Sequence, residues 1–230
     1  MTSPEGASPQ KVWDAPTRLF HWLLVGLVAA SWWTAEEHLM SLHKISGLTI
    51  LGLVVFRIYW GFAGPETARF ANFIKGPRAT LAYGSTLFTP THQLAVGHNP
   101  LSALSVAAII LALVAQVGLG LFAMDTDGLE SGPLARFVSY DVAETAGDLH
   151  EDAFNILLIL IGLHIAAIAF YLVVKRANLI GPMITGRRTA AGSGPSSGPA
   201  GGLASVPLWR FLLGVVIAGG VVALVVLAGG

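Results

Sequence analysis

One stretch limits what this chain can become: LHEDAFNILLILIGLHIAAIAFYLVV, residues Leu149 to Val174. It is an apolar run of membrane-spanning length with an imidazole at each end of its first half, His150 and His164. On an α-helix that separation is about 21 Å of rise and about 40° short of four full turns, so both rings leave one face at two depths. An ionisable side chain inside a hydrocarbon-length segment is costly unless it is paired, which makes each histidine a functional-site candidate. The rest of the sequence has to supply what they face.

Four more segments have the same length and character. The first runs from about Thr17 to Ala35, behind an interfacial stretch carrying Trp13 and Pro16, and holds Phe20-His21-Trp22 in its first turns. The second runs from about Leu42 to Phe62, with His43 in its first turn and Gly47 a turn later. The third, about Pro100 to Phe122, has no charged residue. It contains Gln116, Gly118 and Gly120, small or polar groups that admit a close neighbour. The Leu149–Val174 stretch is the fourth, and the fifth, about Pro207 to Ala228, has no histidine. Between the second and third, Arg69, Phe70, Phe73, Ile74 and Lys75 predict a short amphipathic helix on the membrane surface. Met124 to Asp148 reads as an acidic connection. Residues 1–10 read as a disordered tail without signal-peptide character. Residues 187–206, rich in Gly, Ser, Pro and Ala, read as a flexible linker. The predicted architecture is an all-α integral membrane protein. A four-helix transmembrane bundle over residues 11–186 is followed by a fifth transmembrane helix over 207–230.

Composition agrees and excludes other classes. Apolar residues make up 54% of the chain and charged residues 11%, the balance of a membrane protein. A formal net charge of zero gives no basic excess for nucleic acid, and the absence of cysteine removes disulfides, thiolate metal sites and covalent haem attachment. Threading five spans puts every Lys and Arg except Lys44 and Arg136 on one side. Glu36, Glu37, Asp125, Asp127, Glu130, Asp141, Glu144, Asp148, Glu151 and Asp152 fall on the other. The positive-inside rule makes the basic side cytoplasmic, which puts the N-terminus inside and the C-terminus outside a bacterial inner membrane.

Depth then selects the histidine partners. His21 enters from the cytoplasmic side and sits at the inner level; His43, at the start of the returning segment, sits at the outer level. The fourth segment starts outside, so His150 is outer and His164 inner. The pairs are therefore His21 with His164 and His43 with His150. Each alone reads as an interfacial residue. A single zinc or copper ion fails on depth, and two ligands per level are too few for zinc. Two depth-matched imidazole pairs suit two iron porphyrins with both axial positions filled, an arrangement for electron transfer rather than oxygen binding. His38 and His92 read as solvated loop residues. His98, in Gly97-His98-Asn99-Pro100, opens the third segment. It reads either as a helix-start residue or, with Asn99, as a hydrogen-bond donor to a quinone or a haem propionate. Arg18 and Arg57 share the inner level, as propionate partners or as positive-inside anchors.

Several stretches carry a resemblance: Arg18-Leu-Phe-His-Trp22, His43-Lys-Ile-Ser-Gly47, Phe56-Arg-Ile-Tyr-Trp-Gly61, Ala68-Arg-Phe70, Gly97-His-Asn-Pro100, Leu149-His150, Leu163-His164, Asn178-Leu179 and Met183-Ile-Thr-Gly186. In this order, from Val12 to Gly186, the chain resembles the bacterial cytochrome b561 family, particularly the b-type cytochrome subunit of nickel–iron hydrogenases. The resemblance implies a four-helix bundle with two b haems ligated by His21, His43, His150 and His164, and quinone chemistry near the inner haem. The fifth helix departs from the usual four-helix members. The expected function is transfer of electrons across the membrane between a periplasmic redox protein, a hydrogenase-like subunit or a c-type cytochrome, and the quinone pool. Two other readings are a stand-alone oxidoreductase of the same family that oxidises superoxide and a haem-free anchor for a peripheral redox subunit. The acidic outer connection disfavours an anionic substrate, and a reduced-minus-oxidised spectrum separates the anchor from the other two.

Overall fold

The computed structural model describes residues 10–74, 76–85, 100–125, 128–188 and 205–230. Its elements run β1 (Gln10–Lys11), α1 (Ala15–Glu36), α2 (Met40–Ala63), α3 (Phe70–Phe73), α4 (Pro77–Ser85), α5 (Pro100–Phe122), a single 3-10 turn (Ala135–Phe137), α6 (Tyr140–Val173), α7 (Ile180–Thr185), β2 (Arg187–Arg188) and α8 (Leu208–Gly229). The chain is an all-helical, multi-pass membrane protein. Helices α2, α5, α6 and α8 are long and apolar enough to cross a membrane. Helix α1 is 22 residues long but lies outside that set. Arg18, His21 and three tryptophans dilute its apolar character.

Local chemistry explains the hairpin of α1 and α2. Asp14 precedes α1 in an extended conformation, and Pro16 stands in the first turn, where its missing N–H costs nothing. The helix ends on a Schellman turn: His38 N–H donates to Ala35 O at 3.0 Å and Leu39 N–H to Thr34 O at 2.8 Å. The left-handed position usually given to glycine is held by His38, at φ 55°. This exposed histidine shapes the reversal that lays α2 back along α1.

The expected acidic connection is shorter than its charge suggested. Helix α6 starts at Tyr140, nine residues before Leu149 (149 − 140 = 9). Ser139 is extended at its cap, and Asp141 sits in the first turn, where a carboxylate meets the positive end of the helix dipole. Ala143 and Ala146 are buried between those acids, so the stretch is an amphipathic helical turn rather than a loop. His150 therefore lies well inside the helix. The loop before it is tied down by Gly132 N–H to Ala123 O at 2.7 Å, Leu134 N–H to Leu121 O at 2.8 Å and Met124 N–H to Ala143 O at 3.0 Å.

The core sits between the two histidine levels. Ile50, Val54, Leu113 and Leu157 form its buried centre, with Leu24, Leu27, Val28 and Phe154 against it, so α1, α2, α5 and α6 all contribute. Leu157 is seven residues from His150 and seven from His164 (157 − 150 = 164 − 157 = 7). All three share one stripe of α6, since seven residues fall only about 20° short of two turns. A second cluster joins α2 to α8 through Phe56, Trp60, Ala68, Ala218 and Phe211. Of the predicted surface helix, Phe70–Phe73 form α3 and Lys75 lies outside the described residues; a separate helix, α4, starts at Pro77.

The termini of the four-helix unit meet. β1 pairs antiparallel with β2, Gln10 opposite Arg188 and Lys11 opposite Arg187. This ribbon lies at the inner edges of the segments expected to be tail and linker. Gly186, left-handed at φ 79°, caps α7, and its carbonyl accepts from Val12 N–H at 2.8 Å and Trp13 N–H at 3.2 Å.

Candidate haem-binding site

At the outer level, His43 of α2 and His150 of α6 face each other with ring centroids 6.1 Å apart and planes at 89°. His43 Nδ1 lies 2.9 Å from Ser31 O, with Ser31 Oγ at 3.3 Å. His150 Nδ1 lies 2.8 Å from Gln116 O. A backbone carbonyl can only accept, so each Nδ1 carries the proton and each Nε2 keeps its lone pair, the tautomer a metal needs. The Gln116 side-chain amide is 3.2 Å from His150 Nε2, so Gln116 brackets that ring from two directions.

The space around the pair is a cavity of about 700 Å³, within the range of cofactor sites. Ser31, His43, Gly47, Gln116, Gly120 and His150 are among its lining residues. Gly120 is required by close approach, because a Cβ there would lie 2.8 Å from His150 Cε1. The sequence marked Gly120 as a point of close contact; the structure identifies the neighbour as the imidazole. Gln116 was legible as a polar interruption of an apolar helix. Ser31 was not singled out, because its carbonyl does the work and every residue has one.

At the inner level, His21 of α1 and His164 of α6 are near enough for a direct electrostatic interaction. His21 Nδ1 is buried without a hydrogen-bond partner. The ring packs edge-on against Trp22, centroids 5.0 Å apart. Trp22 Nε1–H donates to Met183 O at 3.2 Å, and Arg18 donates to Ile184 O, so α7 is fastened to this end of α1.

The other sequence candidates separate. Arg18 lies one turn from His21, with its Nε buried and unpartnered. Arg57 is 3% exposed, donates to Ala68 O at 3.2 Å and lies 4.9 Å from the Phe70 ring centre. Its partners are thus the chain after α2, with the Asp14 carboxylate acting on it electrostatically. His98, Asn99 and His92 lie outside the described residues. A residue that sequence reasoning missed is Asp14, which accepts from Trp60 Nε1–H at 2.9 Å in a buried contact and so ties the start of α1 to the end of α2.

The outer donor set fits haem. His43 and His150 lie with ring centres 6.1 Å apart, and their Nε2 atoms would be the ligands to a haem iron bound between them. Among the described residues, no three His, Asp or Glu side chains converge on a metal position. Two imidazoles complete a coordination shell when a porphyrin supplies the other four ligands.

The family model of prokaryotic cytochrome b561 matches residues 12–186. No curated protein and no solved structure gave a match. The match starts and ends where β1 and β2 close the four-helix unit, and it includes all four histidines. The chain belongs to the prokaryotic cytochrome b561 family and is a membrane b-type cytochrome of electron transfer.

Proposed function

We propose that this protein holds two b haems, one between His43 and His150 and one between His21 and His164. It carries electrons across the bacterial inner membrane between a periplasmic redox protein, a hydrogenase-like subunit or a c-type cytochrome, and the quinone pool. The observation that carries the reading is the outer pair, facing at 6.1 Å with both Nδ1 atoms on carbonyls; His164, two heptads along the same stripe of α6, is the partner proposed for His21. Haem iron, when bound, supplies one-electron redox chemistry. The protein's part is to set imidazole orientation, exclude water and fix the separation of the two levels. Leu157 and its neighbours make the material between them apolar, which keeps charge from leaking into the middle of the span. The charge distribution supports an N-terminus in the cytoplasm and a C-terminus in the periplasm, and it makes the His43–His150 level the periplasmic one. Quinone chemistry belongs to the cytoplasmic level, where His98, Asn99, Arg18 and Arg57 are the polar candidates.

A redox titration of the purified protein tests this. Two one-electron components with b-type spectra are expected, and a short-chain benzoquinone should reoxidise both. A single component, or reduced haems indifferent to quinone, contradicts the reading.

A further inference from the structure

The start of α1 carries three buried polar atoms that lack their usual partners. Asp14 is the cap residue, yet its side chain makes no cap hydrogen bond. One oxygen, Oδ2, accepts from Trp60 Nε1–H at 2.9 Å; the other, Oδ1, is buried with no partner. Thr17 is 5% exposed, and its Oγ1 is likewise buried and unpartnered. That departs from the helical habit of threonine. Thr34, Thr49 and Thr145 each donate to the carbonyl four residues earlier, at 2.8, 2.7 and 2.7 Å. Four residues after Thr17 stands His21, whose Nδ1 is the third such atom. A buried polar atom without a partner is costly, so three on one helix start call for a reason.

Their spacing and their chemistry both match. Positions 14, 17 and 21 are three and four apart, the separations that put side chains next to each other on a helix, with Cβ atoms about 5–6 Å apart. The Asp14 carboxylate can only accept a hydrogen bond. His21, as a metal ligand through Nε2, carries its proton on Nδ1 and donates there. A hydroxyl does both. Thr17 stands between the two and is the group that can accept from one and donate to the other. Threonine has two χ1 wells open to it in a helix, so its hydroxyl can turn toward His21 without a change in the backbone.

We propose that Thr17 is the positioning residue of the inner level. In the haem-loaded protein His21 Nδ1–H donates to Thr17 Oγ1, and Thr17 Oγ1–H donates to Asp14 Oδ1. The inference rests on the reading of His21 as an inner-haem ligand. The far end of this line is rigid. Trp60, 2% exposed, holds Asp14 and is itself packed by Phe56, centroids 5.5 Å apart, and by Phe211 of α8 at 6.3 Å. Gly214 of α8 sits where a Cβ would come 2.7 Å from the Tyr59 ring, so α8 fits closely against α2 here. The helix beyond the family match thus backs the support of His21. An imidazole that donates toward a carboxylate through a hydroxyl becomes the more basic ligand, which favours ferric iron and lowers its midpoint potential. At the outer level the acceptors are the neutral carbonyls of Ser31 and Gln116, so the two levels are tuned by different chemistry.

Redox titration of the full-length, haem-loaded protein tests this, with His21→Ala identifying the inner component. Thr17→Val keeps the shape of the side chain and removes the hydroxyl. It should raise the inner midpoint and leave the outer midpoint and both haem spectra unchanged. Thr17→Ser restores the hydroxyl and should return the inner midpoint to the wild-type value. Asp14→Asn should raise the inner midpoint in the wild-type background and much less in the Thr17→Val background, where the connection is already cut. A hydroxyl that merely fills space would leave the inner midpoint of Thr17→Val in place. That result, or an Asp14→Asn shift of equal size in both backgrounds, overturns the proposal. A His21→Ala protein that keeps both haems overturns instead the reading of His21 as a ligand.

Discussion

The two histidine levels are built from the same four helices but held in different ways. At the outer level each imidazole is fixed by a backbone carbonyl, from Ser31 and Gln116, inside a defined cavity. At the inner level His21 has a buried Nδ1 with no partner, and its position depends on what grips the start of α1: Asp14 on Trp60, Arg18 on Ile184, Trp22 on Met183. The outer site is orientated by its own helices. The inner site is orientated by the ends of the family domain and, through the Phe211–Trp60 contact, by α8. A ligand held through side chains that themselves need support is easier to disturb from a distance.

That contrast can be broken most severely at Gly120. Gly120→Val would place a branched side chain against the His150 ring, and overpacking of this kind costs about 1–3 kcal/mol or more. The outer haem should be lost and the inner retained, read from the haem-to-protein ratio. Loss of both together would mean that the two levels are not independent. Next in size is the Asp14–Trp60 contact. Asp14→Ala removes the acceptor of a buried indole N–H; hydrogen bonds to charged groups contribute about 1.5–3 kcal/mol. The inner haem should titrate at a shifted potential or be partly lost, with the outer spectrum unmoved. Ser31→Ala should do least among the site variants. It deletes the longer 3.3 Å contact but leaves the carbonyl that holds His43. A change in outer-haem midpoint too small to resolve is expected, and a large one would show that the hydroxyl, not the carbonyl, orientates His43.

A smaller effect belongs to α4, where Tyr83 hydrogen-bonds the Tyr171 hydroxyl at 2.9 Å. Burial, reinforced by that bond, pushes the Tyr83 phenol well above its usual range. Below about pH 10 the phenol is neutral folded or unfolded, so stability does not depend on it. Above that pH the unfolded chain ionises first and stability falls. Tyr83→Phe should reduce the alkaline loss of thermal stability, and an unchanged alkaline limb would remove Tyr83 from the account.

Much of this was written in the pattern of apolar segments. The five long helices came from length and hydropathy, and depth along them is the basis on which the histidine pairs are proposed. The start of α6 was not legible, because Asp141, Glu144 and Asp148 read as loop when charge is weighed without periodicity; Ala143 and Ala146 carry the buried face. The docking of α8 was not legible either. A glycine-rich linker before it predicts independence, whereas Gly214 and Phe211 act only once α2 is beside them. Arg57 was legible only as a basic residue near the end of a span; its contacts with Ala68 O and Phe70 are ones that no spacing rule forecasts.

The central claim is that four histidines form two separable levels, and haem stoichiometry in single-ligand variants tests it most directly. Pyridine haemochrome analysis should give two haems per chain for the intact protein and one for either His43→Ala or His21→Ala. The haem that remains should differ between the two variants in its midpoint potential. If both substitutions leave the same haem, or if the intact protein holds only one, the two-level arrangement is wrong.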